Sequence, residues 1–182
     1  YGGKINKNIV AQLQNLGCNA LGLSGADGNA IQAVKRPVKS IDYGFVGDVV
    51  GVNNALFQML LKGEYTPVCC AITHDQKGQL LNTNADTIAA TLAQSLSQSF
   101  EVSLWYCFEK QGVLEKINDD GSVIETITPQ KYKNLKTAQV IHSGMIPKID
   151  NCFDALENGV NEVKIGAPKM ITGISQHTTL TL

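Results

Sequence analysis

The sequence predicts an α/β protein built on a largely parallel sheet, and three observations carry that prediction. Apolar, strand-like runs alternate along the chain with segments of three- and four-residue helical periodicity. The run Pro67-Val68-Cys69-Cys70-Ala71-Ile72 is continuous rather than alternating, as expected of a strand covered on both faces. The stretch Leu80-Leu81-Asn82-Thr83-Asn84-Ala85-Asp86 crowds amides and a carboxylate at a strand-to-helix junction, where side-chain oxygens can cap free backbone N–H groups.

Taken in order, Ile5, Ile9, Leu13 and Leu16 mark an amphipathic helix that Gly17 stops. Cys18 to Leu23 is a short strand, followed by the glycine-rich loop Ser24-Gly25-Ala26-Asp27-Gly28-Asn29. Ala30 to Lys35 and Phe45 to Val52 read as two further strands with loop or hairpin residues between them. Asn53 is placed to cap a helix from Asn54 to Lys62, with Leu56, Met59 and Leu60 inward and Gly63 at its end. After the Asn82–Asp86 junction, Ile88, Leu92 and Leu96 form one stripe of a helix over Thr87–Ser97, for which Asp86 is the expected cap. Glu101 to Phe108 is a strand, and a polar hairpin runs through Asn118-Asp119-Asp120-Gly121. Thr128-Pro129 opens a short helix, with proline at its first position. A longer helix follows Gly144, with Ile149, Cys152, Phe153 and Leu156 inward, and Glu162 to Ile165 is a late strand. Ligands of such sheets bind beyond the carboxyl ends of the strands, where the Asn82–Asp86 stretch falls.

Bulk properties narrow the function. A chain of 182 residues, 43% hydrophobic, can bury the core of one domain, with room for two lobes. A net charge of −1 gives no electrostatic case for a nucleic acid or an anionic membrane as partner. No apolar run approaches the ~18 residues of a membrane-spanning helix, and Tyr1-Gly2-Gly3-Lys4 does not begin a signal peptide. The five cysteines show no C-x-x-C and no metal-like spacing with histidine, and most sit where free thiols act as small hydrophobes. The three histidines are dispersed, without a triad or zinc pattern. These features together predict a cytoplasmic protein.

By residue type alone, the Asn82–Asp86 stretch is either a capped loop or a site for an anion near a helix N-terminus. Its pattern decides between them. Asn82-Thr83-Asn84-Ala85-Asp86 resembles the N-x-N-A-D signature of the N-acetylglutamate kinases, in the amino-acid kinase superfamily. Tyr1-Gly2-Gly3, Asn6-Lys7, Gly17-Cys18-Asn19-Ala20, Gly25-Ala26-Asp27-Gly28 and Gly144-Met145-Ile146-Pro147-Lys148 resemble the same family in the same order. The likeness runs from residue 1 to about residue 165. It implies a three-layer α/β/α sandwich of the carbamate kinase-like kind, with residues 1–98 as part of an acylglutamate-binding lobe and 99–182 as a nucleotide-binding lobe.

The resemblance also implies chemistry and roles. The expected reaction moves the γ-phosphoryl of ATP, accompanied by Mg²⁺, to the γ-carboxylate of an N-acylglutamate in arginine biosynthesis. Lys148 then steadies charge on the migrating phosphoryl group, Asp86 orients active-site lysines and Asn82 holds the substrate's α-carboxylate. Glu109, Gly112, Val113 and Leu114 correspond to the nucleotide loop, with Val140, Ile141 and His142 as the opposite wall and Gly144 and Met145 alongside. Two departures stand out. Glu109-Lys110-Gln111-Gly112 lacks the family's serine, and Gln176-His177-Thr178-Thr179-Leu180 stands where the family closes with a G-T-x-I strand.

Family members form homodimers through a helix matching residues 1–16. They carry about a third more chain before the Tyr1 position, with an active-site lysine, a glycine pair and an arginine. The expectation is therefore that these 182 residues alone are catalytically crippled and associate through apolar edges around Cys18–Leu23. Carbamate- or aspartate-type kinases, and a noncatalytic ligand-binding remnant of the fold, are the alternatives.

Overall fold

The computed structural model describes all residues other than 117, 142 and 143, and the chain divides into two compact units, Tyr1–Ser95 and Leu96–Leu182. In the first unit the order is α1 (Lys4–Asn15), β1 (Ala20–Leu23), a 3₁₀ turn at Asp27–Asn29, β2 (Ile31–Lys35), β3 (Gly47–Val52), α2 (Asn54–Lys62), β4 (Thr66–Cys69), β5 (Ile72–His74), β6 (Leu80–Asn82) and α3 (Ala85–Leu96), whose last residue falls in the second unit. Strands β1 and β4 pair in parallel, and a second sheet has the order β3-β2-β5-β6. The second unit contains β7 (Ser103–Cys107), β8 (Thr126–Ile127), α4 (Pro129–Thr137), α5 (Ile146–Glu157), β9 (Glu162–Gly166) and β10 (Thr178–Leu180), with sheet order β7-β9-β10-β8. Among the described residues, the β1–β4, β2–β5, β7–β9 and β8–β10 ladders are parallel, whereas β2–β3, β5–β6 and β9–β10 are antiparallel. The α/β class is as expected.

Helix α1 forms where its periodicity predicts, and Gly17 ends it at φ +81°. Its orientation is less expected. The apolar stripe points outward, with Ile5 51%, Ile9 43% and Leu16 79% exposed, while Asn6 is buried. The inward face is held by polar contacts: Asn6 Nδ2 donates to the Val68 carbonyl (2.8 Å), Lys7 Nζ to that of Gly22 (3.0 Å) and Gln14 Nε2 to that of Ala20 (3.0 Å). Gly22 makes this approach possible, because a Cβ there would collide with Asn6 Oδ1 and lie 2.9 Å from Val10 Cγ2.

Asn53 caps α2 as expected, accepting the Leu56 N–H at 3.2 Å, and also donates to the Gly28 carbonyl at 2.9 Å. Phe57 and Leu60 are the buried residues of α2, whereas Met59, expected inward, is 62% exposed. The run from Pro67 to Ile72 is not one strand buried on both faces. It supplies the end of β4 to one sheet and the start of β5 to another, and its residues are only half-buried. The break follows from where the backbone bonds go. The Cys70 N–H turns to the Leu23 carbonyl (2.9 Å), and the carbonyls of Ala71 and Ile72 accept from Thr83 (3.1 Å) and Gly25 (2.7 Å). Composition alone cannot separate one strand from two.

Gly25 is pinned where β2 and β5 converge. A Cβ there would lie 2.5 Å from the Ile31 carbonyl oxygen and 2.8 Å from Thr73 Cα, both main-chain atoms that cannot swing aside. Gly25→Ala is expected to destabilise the fold by about 1–3 kcal/mol, or more if the strands cannot separate. Chemical denaturation measures this, and an unchanged midpoint would show that the sheet yields freely at this point.

In the second unit, Leu104, Tyr106, Val163, Ile165, Leu180 and Ile127 turn one sheet face inward, and α5 buries the predicted Ile149, Cys152, Phe153 and Leu156. Thr128 caps α4 with Pro129 in its first turn. Tyr132 on α4 lies 5.5 Å from the Phe153 ring and donates its hydroxyl to Asp150 Oδ1 at 2.8 Å. The chain end, unlike the G-T-x-I pattern at its first and last positions, still makes a strand: Thr178 and Leu180 are buried, with His177 in place of the glycine and Leu180 in place of the isoleucine.

Candidate functional site

A cavity of about 220 Å³ opens in the second unit behind the end of β7. Gly112, Val113 and Leu114 form one side, and Val140, Ile141 and Met145 also line it. Six of the expected nucleotide residues, spread over 34 positions of sequence, are thus brought to one largely apolar space. Phe108 and Lys110 join them, and sequence reasoning assigned neither. An aromatic residue closing an apolar strand reads as core, and a loop lysine reads as surface. Lys110 reaches across to Asp120 Oδ1 at 2.8 Å. Glu109 and Gly144 are exposed and are not among the lining residues, while His142 lies outside the described residues.

The loop is fixed by hydrogen bonds. The Val113 N–H donates to Thr178 Oγ1 at 2.8 Å, and the Val113 carbonyl accepts from the Ile124 N–H at 2.8 Å. Lys148 is the third residue of α5, half-buried, with Nζ 5.3 Å from the centroid of the Tyr106 ring. A cation in a first helical turn opposes the helix dipole. Local helix stability therefore does not account for a lysine there, although the ring face attracts its charge.

The first unit has an open cleft of about 660 Å³. Asn82, at the end of β6, lines it together with Phe45, Ile72, Ser24 and Asp27. Gly2 and Gly3 add the N-terminus of α1, whose cap makes no side-chain hydrogen bond. Asn82 is held by its main chain: it pairs with Ile72 in the β5–β6 ladder and donates its N–H to the Phe45 carbonyl at 2.7 Å. The Ser24 N–H (2.6 Å) and hydroxyl (2.7 Å) both donate to Asp27 Oδ2, and the backbone donor above all holds that carboxyl below the usual carboxylate range. The Gly25–Gly28 stretch carried part of the resemblance without a role; the structure adds Asp27 to the cleft.

Beneath Asn82 lies a buried hydroxyl pair. Thr73 Oγ1 and Thr83 Oγ1 are 2.8 Å apart, within reach of the Leu81 carbonyl (3.3 Å) and the Gly47 carbonyl (3.2 Å) respectively. This pair ties β5, the Asn82–Asp86 junction and the start of β3 together. The helix cap differs from the expectation: Asn84, not Asp86, caps α3, its Oδ1 accepting from the N–H groups of Asp86 (2.8 Å) and Thr87 (3.2 Å). Asn84 stands one residue outside the helix, the position from which a side-chain oxygen reaches the second and third helical N–H groups, and Asp86 stands in the first turn, half-buried, where its charge suits the dipole.

Among the described residues no three His, Cys, Asp or Glu side chains gather as a metal site, and no helix is long and apolar enough to cross a membrane. Comparison with known proteins bears on the whole arrangement. The chain is 54% identical over 165 residues to the acetylglutamate kinase of Phocaeicola vulgatus, a match covering 91% of this chain and 64% of that protein. The chain thus spans just under two thirds of the length of that relative. The crystal structure of smu.665 from Streptococcus mutans UA159 superposes with a TM-score of 0.77 at 28% identity, over 96% of this chain and 66% of that one. Carbamate kinase from Giardia lamblia bound to AMP-PNP superposes with a TM-score of 0.66 at 10% identity, over 98% of this chain and 68% of that one, and so shares its fold. The family description "Amino acid kinase family" matches residues 1–167, and with nearly the whole length accounted for, the chain belongs to the amino acid kinase family.

Proposed function

We propose that this chain supplies nucleotide and acylglutamate subsites of an acetylglutamate kinase. The observation that carries the reading is the gathering of Gly112, Val113, Leu114, Val140, Ile141 and Met145 around one apolar cavity of a size for a purine ring. The name of the relative at 54% identity supports the acceptor. ATP belongs to the second unit and the N-acylglutamate to the first, in the cleft beside Asn82. An oxygen of the γ-carboxylate attacks the γ-phosphorus of ATP, the bond to the β–γ bridging oxygen breaks with its electrons leaving on ADP, and an acyl phosphate is formed.

Two anions must meet in this reaction, so positioning and electrostatics do most of the work. Asn82 holds the substrate's α-carboxylate through its amide, and the uncapped N-terminus of α1 adds a favourable dipole for an anion in the same cleft. Lys148 offers a compact cation to the phosphoryl oxygens, and Asp86 orients lysine side chains. Glu109, Gly144 and His142 complete the set of nucleotide residues that the resemblance assigns. Magnesium would arrive on the nucleotide, held chiefly by its phosphates and by water. Bound there, the ion neutralises phosphate charge.

The outward stripe of Ile5, Ile9 and Leu16 on α1 suits a homodimer contact. Free thiols, with Cys107 exposed, suit the reducing cytoplasm.

The test is ADP release by the protein at its full natural length, measured with and without N-acetylglutamate and N-succinylglutamate. Release that depends on one of the two is expected, and the better acceptor names the acyl group. A protein that binds ATP but releases no ADP with either is a noncatalytic binder and defeats the reading.

A further inference from the structure

Strand β10 does more than complete a sheet. Thr178 is fully buried, opposite Ile165 in the antiparallel ladder with β9. Its hydroxyl oxygen accepts the Val113 N–H at 2.8 Å across 65 residues of sequence. That N–H is inside the protein, on a residue 5% exposed, and has no strand partner on β10: the next strand amide, Thr179 N–H, goes to the Glu125 carbonyl at 2.8 Å. A buried amide needs an acceptor, so the threonine side chain stands in for a missing ladder bond. The Ile124 N–H grips the Val113 carbonyl from the other side, and residue 113 is fixed at both its polar groups.

Gly112 shows how tightly the strand is pressed against this loop. A Cβ there would lie 2.7 Å from Thr178 Oγ1, 2.8 Å from Val123 Cγ1 and 3.1 Å from the Thr178 nitrogen. The glycine of the nucleotide loop is therefore required by the C-terminal strand behind it, whatever the ligand in front requires. The same three residues, Gly112 to Leu114, line the cavity.

We infer that Thr178 is a positioning residue for the nucleotide subsite: its hydroxyl sets the height of the Gly112–Leu114 wall, so the C-terminal strand governs the fit of the base. The inference rests on the nucleotide reading of that cavity. A threonine suits both demands, being β-branched for the strand and carrying the acceptor. Valine keeps the shape and removes the acceptor; serine keeps the acceptor and removes a methyl.

The test compares Thr178→Val, Thr178→Ser and Gly112→Ala in the protein at its full natural length. NMR-detected exchange of the Val113 amide and calorimetric Kd values for MgATP and for N-acetylglutamate are the readouts. Losing one buried acceptor is expected to speed exchange of the Val113 amide and weaken ATP binding, each by about tenfold, with N-acetylglutamate binding unchanged. Thr178→Ser is expected to restore both. Gly112→Ala, which pushes the same contact apart from the loop side, is expected to weaken ATP comparably and carries the test if Thr178→Val fails to fold. Normal ATP affinity in a folded Thr178→Val or in Gly112→Ala overturns the positioning role. So does a serine variant as weak as valine, or an unchanged Val113 exchange rate. A wild-type protein without ATP affinity overturns the nucleotide reading and the positioning role with it. That case differs from failure of the inference alone, because exchange at Val113 would still respond to valine.

Discussion

Replacing Lys148 by alanine is expected to lower kcat by about 10²–10³ while changing either KM far less, the pattern of an interaction made mainly in the transition state. The expectation rests on where the lysine stands. It is in the first turn of α5, against the helix dipole, half-buried and 5.3 Å from the Tyr106 ring. The cation–ring attraction amounts to roughly 0.5–1 kcal/mol and the dipole opposes it by a similar amount. The melting temperature of the variant, measured beside its rate, separates a lost charge contact from a lost fold. Lys148→Arg is expected to recover little, because a planar guanidinium replaces a compact ammonium at the end of a different stem. Steady-state kinetics on the protein at its full natural length decide the matter, and a near-normal kcat for alanine would remove Lys148 from the site.

Asn82→Ala should act on binding instead. A hydrogen bond from the amide to a carboxylate contributes about 1.5–3 kcal/mol, so KM for the acylglutamate is expected to rise roughly 10- to 100-fold with ATP affinity kept. The strand should survive, since Asn82 is held by its own N–H to the Phe45 carbonyl and by its register with Ile72. Asn84→Ala is the control within the same motif. Asn84 caps α3 through two backbone N–H groups, so its loss should cost about 1 kcal/mol of stability and leave the KM values near normal. Calorimetry that found ATP binding lost and acylglutamate binding intact in Asn82→Ala would show the two subsites exchanged.

Much of the local structure was legible because its causes are local. Gly17, Asn53 and Thr128-Pro129 punctuate helices through their own backbone preferences and short-range caps, and each is observed doing so. The inward stripe of α5 is likewise readable, since Ile149, Cys152, Phe153 and Leu156 repeat at the helical period and all are buried. The glycine at 112 and the apolar residues after it could be matched to a nucleotide loop, and they do line a cavity. Phe108 could not be told from core, because a cavity wall and a core position ask for the same side chain.

Where the readings failed, the deciding partner was remote. The Asn84 cap was missed because two polar side chains two residues apart both had suitable chemistry, and only the helix start chooses between them. Met59 lost its expected inward place to Phe57 because the sheet lies on one side of α2 rather than another. The stripe of α1 is apolar in sequence yet faces out, since Asn6, Lys7 and Gln14 find strand carbonyls on the inner side.

By itself, then, the sequence determined the α/β class, the order of most elements and most helix boundaries other than the start of α3, because propensity, periodicity and capping act over a few residues. Tertiary structure alone decided that Pro67–Ile72 is shared between two sheets, that Gly25 and Gly22 are sites of close approach, and that a hydroxyl at Thr178 holds the loop at Val113. Each of those depends on which backbone carbonyls and amides meet across dozens of residues. A buried polar group takes the partner that the fold brings to it, and no local pattern in the chain names that partner in advance.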